Sequence, residues 1–255
     1  MTTRTFTYGL ITAGLLAAAL PLSTNPAMAQ KAAALDEKAI REIVIKTIKE
    51  RPEIILEALR TLEAKAEAAK SGAAKDALKS MAADIFRHKD DPVGGNPDGD
   101  ITLVEFFDYN CGFCKRAHPG IVKLLKEDGK IRYVYKEFPI LGAGSLLAAR
   151  AALAARDMGR YKKFSNALME SKGTLNSERI FSIAKATGLD VDKLKAQIES
   201  GKDAANDIVR RNYKIAEALD INGPPAFIVG DQVIRGAAGV EVIKAAVAKA
   251  RKAKK

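Results

Sequence analysis

The stretch Phe106-Phe107-Asp108-Tyr109-Asn110-Cys111-Gly112-Phe113-Cys114-Lys115 holds the only two cysteines of the 255-residue chain, two residues apart. A disulfide across so short a loop constrains little of the unfolded chain, so a stapling role explains it poorly. An apolar strand that ends in Cys-x-x-Cys and opens a helix is the build of a redox dithiol. A four-cysteine zinc site would need a second pair that the chain lacks. Haem attachment would need a histidine directly after Cys114, where Lys115 stands.

Outward from the dithiol, the N-terminus tells where it works. Arg4 precedes an apolar run from Gly9 to Leu20, Pro21 and Pro26 break it, and Ala27-Met28-Ala29 supplies the small residues of a cleavage site. This reads as a secretory signal peptide over residues 1–29, cut before Gln30, and places the mature chain in an oxidising compartment, the bacterial periplasm. The apolar run is short for a bilayer span. Hydrophobic residues make up 47% of the chain, enough for a core. The formal charge of +11 is diffuse, with no basic stripe for nucleic acid. Its clearest cluster, Lys249 to Lys255, reads as a solvated helix end.

Residues 30–89 read as a charged, Ala-rich helical segment interrupted at Pro52. Beyond that break Ile55, Leu59, Leu62, Ala66, Ala69 and Ala73 alternate spacings of four and three, a heptad seam suited to oligomerisation. Residues 90–100 form a Gly/Pro/Asp-rich linker and domain boundary. The catalytic domain is expected over 101–255. It has a strand from Ile101, a helix from about Gly112 to Lys126, and a strand over Ile131–Tyr135. A helical insertion follows over about 145–219, then two short strands near Ala226–Val229 and Gln232–Ile234, and a last helix from about Gly239. That pattern is α/β: a thioredoxin fold with a helical-domain insertion, preceded by an amphipathic helical extension.

With these elements in this order, and Gly223-Pro224-Pro225-Ala226-Phe227 before the closing hairpin, the chain resembles the DsbA-like thioredoxin-fold disulfide oxidoreductases. The stretch Lys49-Glu50-Arg51-Pro52-Glu53-Ile54-Ile55-Leu56 resembles the N-terminal oligomerising extension of the ScsC-like subgroup. The resemblance implies that Cys111, at the helix N-terminus, is the nucleophile and Cys114 the resolving thiol. It implies that Glu105 is a buried acid of raised pKa that relays protons to or from Cys114. It matches Pro225 to the family's cis-proline and sets the backbone of Pro224 beside the dithiol, where an extended substrate segment pairs. Here the sequence departs from pattern, because Pro224 stands where Thr or Val is usual and offers no backbone N–H. Gly112 and Phe113 lie between the cysteines and would touch substrate.

Strongly oxidising members carry histidine where this chain has Phe113. A less depressed Cys111 and a less oxidising disulfide follow, which favours isomerase or reductase work. The expected partners are cysteine-containing secreted proteins, a membrane redox partner that resets the dithiol, and further copies of the chain, a trimer by resemblance. No cofactor is implied. Two other readings stand beside this one. One is a monomeric oxidase that donates its disulfide. The other, of a different class, is a periplasmic copper-binding protein using Cys111 and Cys114. His118 would complete a three-ligand soft site there, although a helix-surface histidine is the plainer reading of it.

Overall fold

In the strand that leads to the dithiol, Ile101–Phe107 (β2), apolar side chains occupy both faces, so it has to lie in the middle of a sheet. A computed structural model, which describes residues 36–254, places it there. In chain order the elements are Glu37–Glu50 (α1), Glu53–Ser80 (α2), Ala82–Phe86 (α3), Val93–Gly95 (β1), β2, Gly112–Asp128 (α4) and Ile131–Glu137 (β3). Then come Ala143–Asp157 (α5), Tyr161–Glu170 (α6), Ser177–Ala186 (α7), Val191–Ser200 (α8), Lys202–Ala218 (α9), Ala226–Val229 (β4), Gln232–Arg235 (β5) and Val240–Ala253 (α10). The expected signal peptide lies outside the described residues.

The sheet runs β1-β3-β2-β4-β5. β2 and β3 are parallel, from Ile101 opposite Ile131 to Phe107 opposite Glu137, with α4 as their crossover. β4 is antiparallel to β2, pairing Ala226 with Phe106, and β5 closes the hairpin. This is a thioredoxin fold with helices α5 to α9 inserted between β3 and β4.

Each face of the sheet carries its own core. Leu103, Phe107, Tyr133, Phe227 and Val229 pack with α4, α10 and the insertion. Val104, Phe106, Val134, Ala226 and Ile228 pack on the other side with Ala74, Leu78, Ile85 and Ile215. Strand alternation therefore puts Glu105 on the same face as Leu103 and Phe107, the face that α4 covers.

Three sequence expectations need correction. The segment 90–100 is no free linker. Val93–Gly95 pairs antiparallel with β3, Val93 lying opposite Val134, and buried Asp91 holds Lys136 and the guanidinium of Arg211. The helical segment does not end as a separate unit at 89 either. The chain divides between Leu59 and Arg60, and Ala74, Leu78 and Ile85 belong to the core of the catalytic domain. Ala74 and Leu78 form a second face of α2, offset by one residue from the seam that ends at Ala73, and the seam itself stays exposed, while Ile85 comes from α3. Lastly, the basic end of α10 is docked rather than solvated: Arg251 pairs with Asp100 at 2.7 Å and with Asp128 at 2.8 Å.

The first unit, to Leu59, carries Ile40, Ile43, Val44, Ile45, Ile48, Ile55, Leu56 and Leu59, all exposed. Pro52 breaks the helix as expected, with α1 ending at Glu50 and α2 beginning at Glu53.

Candidate redox site

The redox turn begins where β2 leaves the sheet. The Asp108 carbonyl accepts the Cys111 N–H at 3.0 Å, and Cys111 becomes the N-cap of α4. Its Sγ does what a cap oxygen does, accepting the Cys114 N–H at 3.2 Å. A thiolate is the form best suited to that position, since unpaired N–H groups and the helix dipole both favour negative charge. Cys111 is accordingly drawn down to about 6 from an ordinary 9.0. The Cys114 thiol that donates to it comes first among the causes, then the backbone N–H groups of Cys114 and Phe113, against opposition from burial and from Asp108. Cys114 moves the other way, pushed far up by burial, by its own bond to Cys111 and by the charge of Glu105.

The two thiols are free and differ in access: Cys111 keeps 4% of its surface and Cys114 none. Cys111 thus lies at a narrow opening, tighter than an exposed helix end. The S–H of Cys111 points to the Pro224 carbonyl, 3.4 Å from Sγ. The Pro224–Pro225 peptide bond is cis. Gly112 is exposed, and Phe113 stands 56% exposed beside the dithiol with the Arg116 guanidinium 4.4 Å from its ring centre.

Glu105 is buried under the turn and accepts from the Tyr133 hydroxyl. Burial pushes it up to about 7 from 4.5, Tyr133 resists the rise, and a Cys111 thiolate adds to it. A carboxyl poised there can hold or release a proton near neutral pH.

The structure does not assemble the metal site. Among the described residues no group of three His, Cys, Asp or Glu side chains is placed to hold a metal ion. His118 is not the surface histidine expected. Its side chain is 12% exposed, with Nε2 4.0 Å from Glu170, Nε2 is buried without a hydrogen-bond partner, and burial lowers its pKa.

Sequence reasoning missed the residues flanking the cysteines. The Lys115 ammonium reaches the carbonyls of Leu168 at 3.0 Å and Ser171 at 2.7 Å, where α6 ends. The Asn110 side chain accepts the Leu175 N–H at 2.7 Å. Tyr109 and Tyr161 both bond the Glu137 carboxyl, at 2.8 and 2.7 Å, and burial raises that carboxyl to about 8. Polar residues on both sides of the dithiol are therefore fastened to the helical insertion. Their only sequence signal was the polar character of Asp108, Asn110 and Lys115 around an apolar strand end.

Residues 87–249 match a family model described as Thioredoxin. A thioredoxin-like oxidoreductase from Silicibacter pomeroyi is 41% identical with a TM-score of 0.64, covering 67% of this chain and 97% of its own. The thiol-disulfide exchange protein alpha-DsbA2 from Wolbachia pipientis is 31% identical with a TM-score of 0.66, covering 71% and 97%. Proteus mirabilis ScsC, in a transitional conformation, is 27% identical with a TM-score of 0.64, covering 86% and 97%. Curated relatives that the chain matches include sodium/proton antiporters, among them one from Salinispora arenicola that is 28% identical, and the chain spans 24% of its length.

Proposed function

The chain belongs to the thioredoxin family, and from that premise we propose that it is a thiol–disulfide oxidoreductase of the bacterial periplasm. Its work is to shuffle or reduce wrongly paired disulfides in secreted proteins. The asymmetry of the two sulfurs carries this reading: one is lowered to about 6 at a narrow opening, the other is buried and held as a thiol. The Cys111 thiolate attacks one sulfur of a substrate disulfide, that S–S bond breaks, and the second substrate sulfur leaves as a thiolate. Two exits follow. A substrate thiolate can attack the mixed disulfide and return Cys111 with a new pairing, which is isomerisation. Alternatively, Cys114 gives its proton to Glu105 and attacks the Cys111 sulfur, which releases reduced substrate and leaves the Cys111–Cys114 disulfide.

The isomerase or reductase direction rests on Gly112-Phe113. A Cys111 at about 6 lies nearer the ~7 of thioredoxin than the ~3.5 of a strongly oxidising DsbA. Pro224, Pro225, Gly112 and Phe113 frame the substrate cleft, with the Pro224 carbonyl as the acceptor there. The exposed apolar residues of α1 and early α2 support self-association, with a trimer as the form to test. A membrane redox partner resets the dithiol.

Trapping tests the roles. Cys114→Ala should accumulate mixed disulfides with oxidised substrate proteins, and Cys111→Ala should exchange nothing. Trapping by Cys111→Ala alone would reverse the assignment. An equilibrium with glutathione as oxidising as that of a strong disulfide donor would favour the monomeric oxidase.

A further inference from the structure

Asp108 lies three residues before Cys111 and is buried, as is Ser145 at the start of α5. One carboxyl oxygen accepts the Asn110 N–H at 2.7 Å and the Ser145 hydroxyl at 2.7 Å, and the other accepts the Leu141 N–H at 2.9 Å. The Ser145 oxygen in turn accepts from the Asn110 side-chain amide at 3.1 Å, so one hydroxyl links Asn110 to Asp108. All three partners of the carboxyl donate to it, the pattern that suits a carboxylate. Each is also neutral. Among the described residues no cation forms an ion pair with Asp108. Lys115 interacts electrostatically with Asp108 but directs its hydrogen bonds to the end of α6, so the carboxylate is balanced only in part, and the sulfur of Cys111 sits one turn away across the Asp108 carbonyl–Cys111 N–H bond.

We propose that Asp108 is a positioning residue of the redox turn: its carboxylate fastens the turn to the insertion and opposes negative charge on Cys111, so that it biases the dithiol toward giving up electrons. The proposal rests on the thiol–disulfide reading above and deepens it by assigning a residue to the direction of exchange. A charge that disfavours the Cys111 thiolate disfavours the reduced form, and the disulfide is then harder to reduce. The opposition of Asp108 to the lowering of Cys111 has that sign. In combination with Phe113 in place of histidine, two features of the turn lean the same way.

Two variants separate the charge from the scaffold. Asp108→Asn removes the charge; Ser145→Ala removes one bond and keeps the charge. Asp108→Asn should lower the Cys111 titration, read by thiolate absorbance, and make the disulfide about threefold more easily reduced by glutathione, ~15 mV for a two-electron couple. Ser145→Ala should move neither, whatever it does to stability. An unmoved titration and equilibrium in Asp108→Asn, or equal shifts in both variants, would overturn the proposal. A third measurement needs no substitution, since coupling between the two groups is reciprocal. In the reduced natural protein the Asp108 carboxyl carbon resonance should show an inflection at the Cys111 titration, and in the oxidised protein it should not. A missing inflection overturns the proposal even if neither variant folds. A protein that exchanges nothing with glutathione would refute the functional reading, whereas the titration and the resonance would still report on Asp108.

Discussion

Glu105→Gln gives the sharpest measurement of what the fold does to its active site. The buried carboxyl titrates at about 7 in the folded protein, against 4.5 in its ordinary state, and burial is the leading cause. Between those two values the native state holds a proton that the unfolded chain has released. Stability therefore falls as pH rises through this window, by about 1.4 kcal/mol per pH unit. Over the whole interval Glu105 accounts for a loss of ~3 kcal/mol, fully developed above pH 7 and absent below 4.5. Glutamine keeps the shape and can still accept from Tyr133, but it does not titrate. Glu137, raised to about 8 by its own burial, is present in both proteins and cancels in the comparison. Urea denaturation in reducing buffer from pH 4 to pH 8 should show the variant gaining ~3 kcal/mol relative to the natural protein between the two ends. Cys111 adds to the rise at Glu105 only as a thiolate, so the same comparison on oxidised proteins should give a smaller gain. A difference between variant and natural protein that stays constant across the range would refute the placement of a protonated Glu105 beneath the dithiol.

Phe113→His should make the disulfide more oxidising, because an imidazole beside the Cys111 sulfur stabilises the reduced form, and a tenfold change in the glutathione equilibrium would read as ~30 mV. A shift toward a more reducing potential would contradict the account of Gly112-Phe113. Removing residues 30–59 should leave a folded, redox-active monomer by sedimentation that isomerises poorly, having lost neighbouring dithiols at high effective concentration. A natural mature chain that sediments as a monomer would remove the oligomer from the reading. Removing residues 30–89 should be far more damaging, since it strips Ala74, Leu78, Ile85 and their core contacts, where a single buried Leu or Ile truncated to Ala costs ~2–5 kcal/mol. Equal melting behaviour of the two truncations would contradict the assignment of late α2 to the core.

The sequence by itself determined the fold and the two sulfurs. Apolar strands of β-branched and aromatic residues, a helix opened by Cys111, glycine-punctuated helices and a Gly230-Asp231 hairpin are local signals, each set by neighbours a few residues away. It also placed Glu105 six residues before Cys111, but not the side it faces, because Val104 and Phe106 are as apolar as the residues beyond them. What only the tertiary structure decided depends on partners far apart in the chain. Lys136 and Glu137 lie beyond the strand expected over Ile131–Tyr135, yet they belong to β3 and both are buried, Lys136 against Asp91 and Glu137 under Tyr109 and Tyr161. Residues 90–100 look like a linker by composition, yet Val93–Gly95 among them become an edge strand because β3 offers them a partner. Late α2 carries one seam legible from its own spacing, and a second face that gains meaning only when the sheet is there to cover it. Asp108 belongs with these: three residues before a cysteine it is one more polar turn residue, and the neutral donors that hold it come from Leu141 and Ser145, which only the fold brings to it. Burial turns an ordinary carboxylate into a poised acid or a charge held by neutral donors, and burial is a property of the assembled fold.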